Sequence, residues 1–365
     1  MRKRHLSSKL FFAGLVLFII GAIGVALTMK SGDMIEKGES LTKEWDLANG
    51  DISKIAFSSN HDTLVEWKES TNGKNYVELK GNYSKDDKKA IEKLKPVSDN
   101  GKTIDINVPE ENNWFNFGKI YAYGQQKLTV YLTKDSKLNA LQVKTNSGDL
   151  NVSNFKVEKL VTSSSSGELK VNRIVADTAK ISTSSGDIDL SNTKANTVLE
   201  TNSGETNITK LTGDLELDGS SGDVTANGIK AKNLKIAISS GEIEFTNGVV
   251  TELAILTTSS GDISAHSKGE LHVESNSGSI EVEGVTNNLT ANTSSGDIEA
   301  SVVETVKKIQ MNTNSGEIDL KLPTDFKAIY ETKSNSGSIK VPTSDTNTEN
   351  RVTVKSSSGD ITIEK

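Results

Sequence analysis

The sequence predicts an all-β chain, a right-handed parallel β-helix or β-solenoid of about twelve coils. Three observations predict it. A Ser-Gly pair recurs with its glycine at 148, 167, 186, 204, 222, 241, 261, 278, 296, 316, 337 and 359, at spacings of 17 to 22 residues. A short repeat sustained over a long stretch marks an array of stacked units. Apolar residues alternate on both sides of each glycine, the mark of two half-buried strands meeting at a turn. The apolar fraction is only 34%, with 5% aromatic, which suits a narrow core threaded along a rod. The right hand follows from the strong preference of parallel crossovers.

Leu10 to Met29 carries no charge and follows Arg2, Lys3, Arg4 and Lys9. Twenty residues of helix reach about 30 Å, the thickness of a bilayer core. The reading is a cytoplasmic basic tail (1–9), one transmembrane helix (10–29) and an extracytoplasmic body at the cell membrane, the basic side facing inward. A cleaved signal peptide also fits the basic start; the length of the apolar run favours an anchor through which the chain meets membrane lipid.

Residues 30–50 read as a polar tether. A β-rich N-terminal cap region follows over 51–140, with strands expected at 52–57, 63–67, 76–79, 103–108 and 127–132. The charged run from Ser84 to Lys95 before Pro96 reads as a short capped helix over the edge of the strand layer. Trp114, Phe115, Phe117, Tyr121 and Tyr123 fit a plug for the open end of the core. They equally suit stacking on sugars or a membrane interface.

The solenoid repeats occupy 141–365. Two residues after each glycine stand Leu150, Leu169, Ile188, Thr206, Val224, Ile243, Ile263, Ile280, Ile298, Ile318, Ile339 and Ile361, and four after it a second apolar column from Val152 to Ile363. The glycine permits a positive φ at the corner. The Thr column three before it (Thr145, Thr183, Thr201, Thr258, Thr293, Thr313) shares the inward parity, which disfavours an exposed threonine ladder for ice. One coil cannot bury enough to fold alone, so the ends are the weak points. The terminal edge over residues 350–365 is expected to be where self-association occurs, with Lys355, Asp360, Glu364 and Lys365 guarding it.

The position after the glycine holds Asp149, Glu168, Asp187, Glu205, Asp223, Glu242, Asp262, Asp297, Glu317 and Asp360, with serine only at 279 and 338. Turn chemistry and solvation account for such a stripe. It could also gather a cationic peptide, a basic partner or Ca²⁺, although calcium solenoids use a nine-residue repeat.

The full chain has 42 basic and 49 acidic residues; without the four basic residues of the leader it carries −11, which argues against nucleic acid. With no cysteine, thiolate metal sites, thiol nucleophiles and disulfides are excluded. The histidines at 5, 61, 266 and 272 form no ligand spacing, so no cofactor is expected. Ser191-Asn192-Thr193-Lys194 has the Ser-x-x-Lys spacing of an acyl enzyme but lacks its companion motifs. Short, monotonous connections disfavour the loop-built sites of β-helix carbohydrate-active enzymes, and no enzyme is expected.

The (Ser/Asn)-Ser-Gly-(Asp/Glu)-Ile-x-(Leu/Val) repeat, Leu322-Pro323 before a final repeat and the apolar N-terminal segment resemble the putative-adhesin β-strand-repeat family, a bacterial domain of unknown function. The layout is similar to that of LiaG-type membrane proteins. That resemblance implies an extracytoplasmic interaction scaffold in the envelope-stress response of Gram-positive bacteria, with other envelope membrane proteins as partners. An adhesin or structural surface protein is the alternative it leaves open.

Overall fold

A computed structural model of the protein describes residues 35–36, 38–109, 120–121 and 123–365. The expected transmembrane helix and basic tail lie outside these residues, as do Trp114, Phe115 and Phe117. Among the described residues no helix is long and apolar enough to cross a membrane.

The body is a β-solenoid whose coils stack in one continuous parallel ladder. Each coil places one strand before its Ser-Gly corner and one after it. Leu141 pairs with Leu160 and Leu160 with Ala179 on the first face; Leu150 pairs with Leu169 and Leu169 with Ile188 on the second. Like residues therefore lie over like residues, and the two columns after the glycine form the wall of the core. Ile188, Ile243 and Ile318 are fully buried. The inward threonines are buried as expected. From the middle of the rod onward their column ties corner to corner: Thr293, Thr313 and Ser356 donate to the glycine carbonyls of Gly278, Gly296 and Gly316 in the neighbouring coil, at 3.0, 3.1 and 3.2 Å.

Two constraints fix the corner glycine. Gly204 has φ +112°, a region that favours glycine. Gly186 shows the second: a Cβ there would lie 2.0 Å from the carbonyl oxygen of Gly167 in the coil below. Close approach of backbones, and not φ alone, excludes a side chain. A second left-handed corner falls six residues after the glycine, at Asn154, Arg173, Asn192, Lys210, Gly228, Asn247 and Gly284. Asn192, the middle of the Ser-x-x-Lys match, is thus a turn residue.

The ladder does not break at residue 141. The strand Ile52–Ser58 pairs in parallel with Leu138–Thr145 on one side and Thr103–Asn107 on the other. Thr63–Glu69 lies between Leu150–Ser153 and Gln126–Leu132. Two further coil levels, without a Ser-Gly corner, precede the first repeat. At the corner between the strands Ile52–Ser58 and Thr63–Glu69, buried Gln126 donates to the hydroxyls of Ser59 and Thr63 and accepts from the Tyr83 hydroxyl. Burial pushes the Tyr83 phenol well above its ordinary pKa. His61 lies edge-on to Tyr83 and Tyr123, so of the aromatic group Tyr123 does pack at this end.

Reversed strands then close the rod. Glu39–Asp46 runs antiparallel to Tyr76–Tyr83, which runs antiparallel to Gln126–Leu132. Leu41, Trp45, Val77 and Leu79 seal the core. The predicted helix is present at Lys85–Lys93, capped by the Ser84 hydroxyl, which accepts from the Asp87 amide; Ile91 is its buried anchor. It packs over the strands Glu39–Asp46 and Tyr76–Tyr83.

The other end departs from the sequence-based expectation. The strand Arg351–Ser358 pairs with Lys308–Ser315 on one side and Ile329–Ser336 on the other; Ile361–Glu364 likewise lies between Ile318–Lys321 and Ile339–Lys340. The chain leaves one level vacant, builds the last level with residues 329–341, and returns to fill the gap. Residues 350–365 are therefore not the terminal edge. Val352, Val354, Ile361 and Ile363 are buried, whereas Ile339 and Val341 are 41% and 39% exposed.

Candidate functional site

The acidic stripe is present, and its members divide. Asp149, Asp187, Asp223, Asp262, Asp297 and Asp360 each accept, through one carboxylate oxygen, the backbone N–H of the equivalent residue in the next coil: Glu168, Glu205, Glu242, Ser279, Glu317 and Ser338, at 2.7–2.9 Å. The column alternates, aspartate then a residue other than aspartate. In sequence the alternation fails at Glu317, Ser338, Asp360; in space Asp360 sits between the other two, and the rule holds to the end. The capping is a matter of reach. An aspartate aimed along the axis satisfies the amide above it, and Asp62 caps the amide of another aspartate, Asp149, in the same way.

The aspartates are thus structural caps. Glu168 is held by Lys170 at 2.6 Å; Glu205, Glu242 and Glu317 have no side-chain partner among the described residues and stand free. Glu205 and Glu242, with Asp223 and Glu244, line a shallow open groove of about 180 Å3. Among the described residues no group of three or more His, Asp or Glu is arranged to hold a metal.

A larger feature escapes the sequence. The second corners of the first repeat coils and the loop 133–138 border an open groove of about 1380 Å3. Trp67 and Val175 form its apolar surface over the buried Phe155 and Val157, and Lys68, Lys134, Lys137, Lys156, Arg173 and Lys194 stand around it. Glu69, Asp135, Glu158 and Asp177 partly offset those charges. Val175 is 46% exposed. Arg173 Nε donates to Asn154 Oδ1, fixing one second corner on the next. These residues come from five separate segments, so no spacing announces them. The signal that could have found the region is the recurrence of Asn and Gly six residues after the corner glycine.

The sequence matches the family model described as Toastrack DUF4097 over residues 52–224, 199–271 and 221–364. The chain belongs to the Toastrack DUF4097 family. The three segments overlap and include the two levels before the first Ser-Gly corner, in agreement with the unbroken ladder. Among curated proteins none matches. Solved structures similar to this Toastrack chain include a "putative lipid binding protein" from Parabacteroides distasonis, 21% identical, covering 78% of this chain and 99% of that one, with TM-score 0.35. A "putative adhesin" from Bacteroides fragilis is 16% identical over 90% of this chain and 100% of its own, with TM-score 0.25. Another from Parabacteroides merdae is 13% identical over 91% and 99%, with TM-score 0.30.

Proposed function

We propose that this Toastrack protein is a non-enzymatic binding scaffold of the cell envelope. It is held to the membrane through residues 10–29 and presents the solenoid outside the cell to other envelope membrane proteins, in the response to envelope stress. The observation that carries the reading is the groove beside Trp67 and Val175. An apolar surface with several cations around it suits a partner segment that offers apolar and acidic side chains together. The rigid ladder holds these groups in place, so little order need be gained on binding.

Cross-linking in intact cells followed by pull-down tests this directly. Membrane-protein partners are expected with the wild-type chain, and their recovery should fall several-fold for Val175→Asp and Arg173→Glu. Recovery of glycans or host-surface ligands in their place would favour an adhesin, and undiminished recovery by both variants would remove the groove from the proposal. The free glutamates of the corner stripe support a second use of the scaffold, capture of cationic peptides. Titration calorimetry with a lysine-rich peptide should then show binding that Glu205→Gln with Glu242→Gln weakens.

A further inference from the structure

The two ends of the rod differ in what they offer to another chain. The N-terminal end is sealed by antiparallel strands and a helix. At the other end the strand Ile329–Ser336 pairs on one side only, with Arg351–Ser358. Two features show that this last level is unfinished. Ile339 and Val341 are exposed where the members of their columns below are buried. Among the described residues no reversed strand or helix lies over the level.

The edge has a defined register. Ile329 donates its N–H to Asn350, inside the ladder, whereas the Tyr330 N–H turns away and is accepted by the Ser344 hydroxyl. Alternation along a strand then directs the N–H and C=O groups of Thr332 and Ser334 to the open side. Ser344, in the loop that returns to the last strands, closes the edge at Tyr330, so a docking strand has the stretch from Tyr330 to Ser334 to pair with. The inward residues are Tyr330, Thr332 and Ser334; the outward ones are Glu331 and Lys333.

We propose that the partner of this edge is a second copy of the same chain, paired antiparallel and tail to tail about Thr332. This register lets the two Thr332 residues exchange both backbone bonds, and Ser334 N–H of each copy reach the Tyr330 carbonyl of the other. It also sets Glu331 of each copy opposite Lys333 of the other. In that non-hydrogen-bonded pairing side chains approach most closely. Lys333 has no ion pair among the described residues, while Glu331 meets only Arg351, at 3.7 Å. A charge pattern that complements itself on reversal fits a copy of this strand better than a strand of arbitrary sequence. Such an interface is isologous, and the sealed opposite end stops growth, so the product is a closed dimer and not a fibre.

The test uses the full chain in detergent, so every variant carries the same residues 1–29 and association through them stays constant. Light scattering coupled to size exclusion should report a dimer for the wild type. Lys333→Glu should raise the dimer dissociation constant roughly tenfold or more, by placing like charges opposite each other. The double change Glu331→Lys with Lys333→Glu should restore it, which a folding defect would not. Thr332→Cys, the sole thiol in the variant, should form an interchain disulfide on mild oxidation, since directly opposed residues lie within disulfide reach. A monomeric wild type, assemblies larger than two, an undisturbed dimer in Lys333→Glu, or failure of the charge swap to rescue would each overturn the proposal.

Discussion

The two ends of the solenoid solve one problem in different ways. A parallel ladder has no natural stop, because each level presents the next with a fresh row of backbone groups. At the N-terminal end the chain changes direction: Glu39–Asp46 and Tyr76–Tyr83 run against their neighbours, and Lys85–Lys93 covers them. At the C-terminal end direction never changes, and residues 351–364 are instead inserted beneath 329–340. Reversal ends the parallel stacking and leaves Glu39–Asp46 paired on one side with a helix packed against it, whereas insertion only relocates the edge. The comparison teaches that the weak end of this rod is set by stacking order, not by sequence order.

Deletion gives the largest contrast. Removing Arg351–Lys365 takes Val352, Val354, Ile361 and Ile363 out of the core, roughly 6–12 kcal/mol of burial, and leaves residues 329–340 without a neighbour. Limited proteolysis should then trim the chain back to the region of Lys321. Removing Glu39–Asp46 at the sealed end loses Leu41 and Trp45, about half as much, and the repeats should remain resistant. Equal trimming of both ends would break the distinction.

Corner glycines give the next effect. Gly186→Ala, in the middle of the stack, drives a methyl into the Gly167 carbonyl and should cost about 3 kcal/mol in denaturant unfolding. Gly337→Ala meets the Gly359 carbonyl, but its level has no coil beyond it and can shift, so about 1 kcal/mol is expected.

Within the acidic stripe the expected contrast is smaller. Asp297→Ala removes the acceptor for the Glu317 N–H and should cost about 1 kcal/mol. Glu317→Ala should stay within about 0.5 kcal/mol of wild type. Denaturation midpoints for the pair decide whether the aspartates alone are structural.

The smallest effect is electrostatic. The hydrogen bond and charge of Lys340 hold the Glu364 carboxyl below its usual range, across the last two levels. A carboxyl depressed on folding contributes stability above its unfolded pKa and loses it as pH falls through the folded value. In acid, therefore, this contact between the last two levels should weaken. Lys340→Gln should return Glu364 to the ordinary carboxylate range, read by NMR titration. At the sealed end Glu66 is depressed too: burial raises it, but the hydrogen bonds and charges of Lys127 and Lys68 outweigh that, so its contribution is lost in acid with the same sign.

Much of the architecture was legible because stacking repeats it. Leu150, Leu169 and Ile188 declare a core column, and Thr183 and Thr201 share its parity. The insertion of 351–364 was not legible, since every repeat carries the same pattern and nothing in Ile339 or Ile361 says which level lies outermost. Only the Asp/non-Asp alternation holds a trace: Asp360 follows Ser338 in sequence, yet belongs after Glu317. The stripe was visible as ten carboxylates, but its split into caps and free groups depends on the axial reach of aspartate. The groove beside Trp67 was hidden because its residues meet only when the turns after successive strands are stacked.

The inserted strand also sets the order in which the rod can be completed. Coils up to Lys321 can dock one upon another as the chain is made, each on a finished neighbour. Residues 329–341 cannot, because the surface they rest on is formed by residues 351–364, which follow them in the chain. The tip of the rod therefore closes only once residues 351–364 have been made. A chain cut short between Lys321 and Arg351 leaves that tip without the level that supports it.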